Sequence, residues 1–398
     1  MNPYINKLYH IANKPRRLVV GLMSGTSLDG LDMALCRITG SGRSTTLEIL
    51  QFETKAYADD FRRRIRQVFA QRTVDQQALC GLHPLIGQTH GMLVNEALSG
   101  WGVAADEIDL VASHGQTVFH APQSLTGPTG YPNSTLQLGD GDHLAVTTGI
   151  ITVSDFRQKH LAAGGEGAPL AAYGDYLLFT APQETRILLN IGGIANFTLL
   201  PASAHSNSCF ATDVGPGNTL MNQYMLKQRG EEMDTDGRTA SAGTVCPPLL
   251  EALLSDRFFT LPFPKTTGPE LFNLSYLTRA QEASGTGTLS VPDVMATLNA
   301  FSASAIITAV GRAVQPYPNP HVYISGGGLH NPVLVDRIAR GLGNIPVSTF
   351  EVLGLLPDAK EAALFALLAN ETVAGAATNT AGINDAPAVC MGKISFPE

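Results

Sequence analysis

Residues 17–36, RLVVGLMSGTSLDGLDMALC, carry an apolar run into a loop of small and hydroxylated residues and out again. Leu18, Val19 and Val20 lead in, and Gly21, Ser24, Gly25, Thr26, Ser27 and Gly30 supply the loop. Leu31, Met33 and Leu35 lead out in strict alternation, with Asp29 and Asp32 beside the turn. The pattern predicts two strands around a Gly/Ser/Thr loop. Such a loop suits phosphate: glycines let backbone N–H groups approach closely, and hydroxyls add donors without bulk. A plain Gly-rich hairpin has the same pattern. The segment lacks the Gly-Lys-Ser/Thr ending of a P-loop, and no helical pattern follows its glycines as in a dinucleotide fold. Residues 186–200, RILLNIGGIANFTLL, repeat the plan of apolar run, glycine turn and apolar run. Two such hairpins predict a duplicated α/β fold with a nucleotide cleft between its halves.

The chain's 398 residues exceed what one hydrophobic core usually serves, so two domains are expected. The reading places the first at 1–154, joined by 355–398, and the second at 155–354. A net charge of −8 argues against nucleic acid as a partner, and Arg62, Arg63, Arg64 and Arg66 read as a solvated helix face. The five cysteines are odd in number and widely spaced, which favours a reducing compartment without a structural metal. With no stretch like a signal peptide and no run of 18 apolar residues, a cytoplasmic protein without a membrane partner is expected.

Period-3.6 patterning predicts helices over 59–72 and 85–98. A buried strand at 110–113 should run into His114-Gly115-Gln116-Thr117, and another at 150–154 should end at Asp155-Phe156-Arg157. Residues 161–170 read as a loop before a helix. Strand 322–325 leads into Gly326, Gly327 and Gly328, with a helix behind whose free N–H groups suit an anion. A helix over 357–371, capped by Asp358, a loop over 374–387 and a strand over 388–394 complete the chain.

Asp213, in Thr212-Asp213-Val214-Gly215-Pro216-Gly217-Asn218, is the leading candidate for a general base. It reads as part of a rigid turn before a helix at 219–229 that Gly230 would end, and a turn-forming Asp bonded to its own backbone is the alternative. Glu361 lies three residues after Asp358, so D-x-x-E reads by default as a capping box; a chemical role requires Glu361 to face a cleft. His114 suits either a polar pocket or the core. Asp234-x-Asp236-Gly237 reads as a turn, because Val245 stands where a calcium loop needs Glu.

The chain resembles the anhydro-N-acetylmuramic acid kinase family at SGTSLDGLD (24–32), HGQTVFHAP (114–122), LQLGD (136–140), DFRQKHLAAGGEGAP (155–169) and NIGGIAN (190–196). DVGPGN (213–218), PKTTGPELFN (264–273), SGGGLHNP (325–332) and AKEAALFALLA (359–369) continue the resemblance in the family's order. It implies a two-domain α/β fold of the sugar kinase/Hsp70/actin type, duplicated and ribonuclease H-like, with ATP and Mg2+ bound between the domains. It further implies hydrolytic opening of 1,6-anhydro-N-acetylmuramic acid and phosphorylation of O6, giving N-acetylmuramic acid 6-phosphate in peptidoglycan recycling. Water attacks the anomeric carbon, and O6, released from the bridge, takes the γ-phosphoryl group.

By position in these motifs, Asp213 would activate the water and Glu361 would place it or a magnesium-bound water. Gly25, Thr26, Ser27, Leu28, Asp29, Gly30, Leu31 and Asp32 would hold the ATP phosphates, and Gly192, Gly193, Gly326, Gly327 and Gly328 would complete the nucleotide site. His114, Gln116, Arg157, Gly215 and Asn218 would contact the sugar, and the assembly would be a homodimer. Gln158, Lys159 and His160 depart from the family's usual basic pair and Asp, Glu166 from its Gln, and Val214 from its Thr. A kinase for another anhydrosugar, such as levoglucosan, is therefore an alternative, and a non-catalytic ATP-binding regulator is one of another class.

Overall fold

The computed structural model describes residues 2–127, 130–168, 170–202, 208–380, 383 and 387–398. The chain divides into two units, Met1–Leu178 with Asp358–Glu398, and Phe179–Pro357. Residues 155–178 thus lie with the first unit.

The first unit is built on a sheet of β1 (Arg16–Ser24), β2 (Gly30–Thr39), β3 (Thr46–Ala56), β4 (Leu110–Ala121), β5 (Ser134–Leu138), β6 (Thr152–Ser154) and a last strand, Lys393–Ser395. β1, β2 and β3 form an antiparallel meander, and β4 and then β6 add in parallel on the free edge of β1. The second unit holds β7 (Thr185–Ile191), β8 (Ile194–Leu200), β9 (Phe210–Pro216), β10 (Pro320–Ser325) and β11 (Val347–Thr349). β7, β8 and β9 are again an antiparallel meander, with β10 and β11 added in parallel beside β7. The orders β3-β2-β1-β4-β6 and β9-β8-β7-β10-β11 are one topology used twice, as the paired hairpins predict.

Each parallel step needs a helical crossover, and these crossovers cover the sheets. β1 is buried along nearly its whole length. The helix Lys360–Ala374 packs against it so closely that a Cβ on Gly21 would stand 1.9 Å from Ala362 O. The helix Gln76–Trp101 contributes Ile86 and Val94 to the core formed with Val20, Leu22 and Val111. In the second unit the helix Val291–Val314 is long and apolar enough to cross a membrane, but 78% of its apolar window is buried. Its Leu298, Phe301 and Ile306 share one core with Leu189 and Phe197 of the sheet.

Several boundaries differ from the sequence patterning, each for a local reason. The helix predicted over 85–98 spans Gln76–Trp101, because Asp75 caps it by accepting from Ala78 N at 2.8 Å and Leu79 and Leu82 of its first turns already pack on the core, with Pro84 carried inside the helix. The helix predicted over 59–72 stops at Arg66, and the chain then turns so that Ala70 N donates to Val118 O of β4 at 2.8 Å. Arg63, Arg64 and Arg66 face outward, the first two paired with Asp60, while Arg62 is half-buried and pairs with Asp59. β4 runs on through His114–Thr117 instead of ending at 113, and β6 starts at Thr152. The helix Phe156–Ala162 takes the start of the 161–170 loop, in which Pro169 lies outside the described residues, and Ala171–Phe179 follows as predicted. In the predicted loop over 374–387 a short 3-10 turn forms at Ala377–Thr380, while 381, 382 and 384–386 lie outside the described residues. The final strand is Lys393–Ser395, later than 388–394.

Candidate active site

In the first unit the loop after β1 has an exposed tip and a buried underside. Thr26, Ser27 and Asp29 are exposed, while Leu28 points inward with φ of 60°. Asp29 Oδ1 accepts from Ser27 Oγ at 2.7 Å and from Gly30 N at 3.0 Å, which closes the turn. Beneath it runs a chain of buried side chains whose direction is fixed at Gln116. The Gln116 amide nitrogen donates to two carbonyls, Gly25 O at 3.2 Å and Thr117 O at 3.1 Å, so its Oε1 faces Ser24 and accepts from Ser24 Oγ at 2.5 Å. Tyr57 OH then donates to Ser24 Oγ at 2.8 Å, and His90 Nε2 must carry the hydrogen that Tyr57 OH accepts at 2.8 Å. Gln116, expected on the sugar, is thus fully engaged beneath the loop.

His114 and Arg157 form one bonded pair in this unit: Arg157 Nε donates to His114 Nε2 at 2.9 Å, and its Nη1 donates to Gly167 O at 2.7 Å. The His114 ring is buried against Phe365, 4.7 Å away, and burial followed by the Arg157 charge holds it well below the ordinary histidine range, hence neutral. Burial pushes the Arg157 guanidinium down to about 10, against the opposing pull of Glu361.

Glu361 does not close a capping box. Its helix begins at Lys360 with Ala359 at the N-cap and no side-chain cap, so Asp358 stands one residue too early. The Glu361 side chain is accessible to solvent, yet enough protein surrounds it that lost hydration is the first cause raising its pKa, with the charge of Asp32 second. Asp32 is raised too, by burial first, and its Oδ1 accepts from Thr54 Oγ1 at 2.6 Å. Among the described residues no three His, Cys, Asp or Glu side chains gather to hold a metal ion directly. Asp32 raises Glu361, and Asp29 and Asp358 raise Asp32, and such an acidic group suits a Mg2+ ion that keeps most of its waters.

In the second unit three glycine turns close on the end of β7. Gly217 N and Thr219 N donate to Gly193 O at 2.8 and 3.0 Å, and Asn218 N donates to Gly192 O at 2.9 Å. A Cβ on Gly217 would stand 2.3 Å from Gly192 O, one on Gly326 2.4 Å from Asn190 Oδ1, and one on Gly328 2.3 Å from Ile191 Cγ2. Only glycine lets the backbones meet this closely. The helix behind Gly326–Gly328, Pro332–Gly341, does not leave its first turn free as expected, because Asn331 caps it by accepting from Leu334 N.

Asp213 lies in strand β9 and not in a turn, opposite Asn196 at a register shift in the β8–β9 pairing. Gly215 follows with φ of 145°, and the helix Thr219–Arg229 ends at a left-handed Gly230 as predicted. The Asp213 side chain bonds a different segment and not its own backbone: Oδ2 accepts from Thr267 N at 2.9 Å. Among the described residues its Oδ1 has no hydrogen-bond partner. Burial raises its pKa, the Thr267 N–H opposes that, and Glu270 adds to it. One oxygen fixed, one free and a raised pKa equip a carboxylate to accept a proton.

Motif reading missed Tyr57, His90, Lys265 and Thr267, which brace the two candidate sites from elsewhere in the chain. Only the last two lie in a segment, PKTTGPELFN, that carried any signal.

The family model described as anhydro-N-acetylmuramic acid kinase matches residues 17–396. An anhydro-N-acetylmuramic acid kinase of Pseudoalteromonas atlantica is 52% identical over all of both chains. One of Caldanaerobacter subterraneus is 38% identical over 98% of this chain and all of its own. Among solved structures, the activator of the 2-hydroxyisocaproyl-CoA dehydratase from Clostridium difficile with bound ADPNP covers 89% of this chain and 95% of its own, at 14% identity and a TM-score of 0.41, a likeness too slight to bear on function.

Proposed function

The chain belongs to the anhydro-N-acetylmuramic acid kinase family, and on that premise we propose that Asp213 is the base of a reaction that opens a 1,6-anhydro ring and phosphorylates the oxygen it frees. It is a kinase of this family and uses ATP. In the proposed course Asp213 takes a proton from water as that water attacks the anomeric carbon of 1,6-anhydro-N-acetylmuramic acid. O6 leaves the carbon and accepts the γ-phosphoryl group, giving N-acetylmuramic acid 6-phosphate. A base acting on water contributes roughly 10²–10⁴-fold.

Residues 25–32 would meet the ATP phosphates through backbone N–H groups and the Thr26 and Ser27 hydroxyls, with Gly192, Gly193 and Gly326–Gly328 on the rest of the nucleotide. His114 and Arg157, with Gly215 and Asn218, would contact the sugar. Asp32 and Glu361 would hold Mg2+ through its waters; when bound, that ion neutralises phosphate charge during transfer. A cytoplasmic homodimer is part of the same reading, open to sedimentation and fractionation.

The observation that carries the base assignment is the divided carboxylate of Asp213, one oxygen held by Thr267 N–H and the other free. The test is ADP release that depends on added anhydrosugar, comparing 1,6-anhydro-N-acetylmuramic acid with levoglucosan. Asp213→Asn keeps the size and hydrogen bonds but loses the base, so kcat should fall roughly 10²–10⁴-fold with ATP binding intact. Near-normal turnover in that variant would move the base elsewhere.

A further inference from the structure

We propose that Lys265 is a positioning residue for Asp213, its side chain pinning the segment whose Thr267 N–H fixes the carboxylate. The inference rests on the reading of Asp213 as the base. Lys265 is 7% exposed, an unusual place for an ammonium. Its Nζ donates to Phe258 O at 2.7 Å and lies 4.2 Å from the centre of the Phe258 ring, with the Phe263 and Phe259 rings at 5.6 and 5.9 Å. A cation enclosed by aromatic faces is attracted to each of them, and the attraction strengthens as water is excluded.

The main chain of the same residue clamps β9 at Thr212 and at the candidate base itself. Lys265 N donates to Thr212 Oγ1 at 2.9 Å, and Lys265 O accepts from Asp213 N at 2.9 Å. Two residues on, Thr267 N reaches Asp213 Oδ2. The side chain is thus an anchor at one end of a short segment, and the carboxylate is held at the other. Without the side-chain anchor only the main-chain bonds at Lys265 hold the segment, and Thr267 N–H is kept less firmly on Oδ2. That N–H favours the charged carboxylate, while burial and Glu270 disfavour it, so its loss raises the pKa of Asp213 further. Burial first, and then the charge of Arg312, the charged group facing it, lowers the Lys265 ammonium to about 8.

The test uses the full-length enzyme and Lys265→Met, which keeps an unbranched apolar side chain and removes the charge and the donor. Expected are a fall in kcat on the order of tenfold and a shift of the acidic limb of the kcat profile to higher pH. KM for ATP should stay within about twofold, since a base held less well affects the transition state more than nucleotide binding. Should Lys265→Met not fold, Phe258→Leu thins the aromatic box while leaving the Phe258 carbonyl in place, and the same limb should move by less. A folded variant with wild-type kcat and an unmoved limb overturns the inference. Asp213→Asn separates the two claims: if it is inactive while the Lys265 variants behave as wild type, the anchor fails alone, and if it turns over normally, the base reading fails.

Discussion

The hairpins that open the two sheets stand at equivalent places in one topology, and they hold their loops by opposite means. The β1–β2 loop is braced by side chains, through the line from His90 and Tyr57 to Ser24 and Gln116. The β7–β8 turn is two glycines braced by main chain, with N–H groups of Gly217, Asn218 and Thr219 on its carbonyls. The first arrangement can display hydroxyls at its tip because rigidity comes from below. The second gains its rigidity from having no side chains where backbones meet. A duplicated topology therefore need not duplicate the chemistry of its loops.

The comparison breaks most visibly at Gly217. A Cβ there would stand 2.3 Å from Gly192 O, a backbone atom that cannot swing aside. Gly217→Val should therefore force β9 and the second turn apart, lowering stability by roughly 1–3 kcal/mol as overpacking does. Because Asp213 shares that strand, turnover should fall on the order of 10²-fold. Chemical denaturation beside kcat checks both, and an unchanged midpoint with unchanged turnover would mean the main-chain brace is dispensable.

Gly25 should behave in the opposite way. A Cβ there meets nothing nearer than Ser27 Oγ at 3.4 Å, an ordinary contact, so Gly25→Val should stay folded and within about 0.5 kcal/mol of wild-type stability. Its branched side chain would nonetheless cover backbone that phosphate must approach. Loss of a hydrogen bond to a charged group should raise KM for ATP roughly 10- to 100-fold. Titration with ATP beside a melting curve decides; undiminished ATP binding would remove this loop from the nucleotide site.

The parts of this contrast that were legible in the sequence are local ones. Both hairpins, the helix Thr219–Arg229 and its Gly230 cap follow from apolar period and glycine punctuation within a few residues. The braces were not legible, since Tyr57 meets Ser24 and Thr267 meets Asp213 only after the chain has folded back, and no period records that. The capping box failed for a related reason. D-x-x-E at 358–361 has the right chemistry, but the helix starts one residue later than the box requires, with the completely buried Ala359 at its N-cap. Asp213 stands out by its motif, while its strand setting depends on pairing with β8 and on a segment far along the chain.

The finest test of side-chain bracing is Tyr57→Phe, which removes one oxygen and keeps the ring. Packing of that ring on Phe61, 4.9 Å between centres, should survive. His90 Nε2–H is then left buried without its acceptor, and Ser24 loses a donor, at a cost of about 1–3 kcal/mol in stability. If the line of hydrogen bonds fixes the Gly25 peptide, KM for ATP should also rise, by roughly two- to tenfold, because one neutral hydrogen bond is at stake. A purely structural tyrosine would lower the melting temperature and leave KM alone. Acidity supplies the control. Burial pushes His90 down to about 4, so it stays neutral well below the ordinary histidine range. The ratio of variant to wild-type KM should therefore be flat between about pH 6 and 8, where an ordinary histidine would titrate. A ratio that changed through that window would mean His90 takes up a proton there, at Nδ1, and its neutral state would have to be given up while Nε2 still donates to Tyr57.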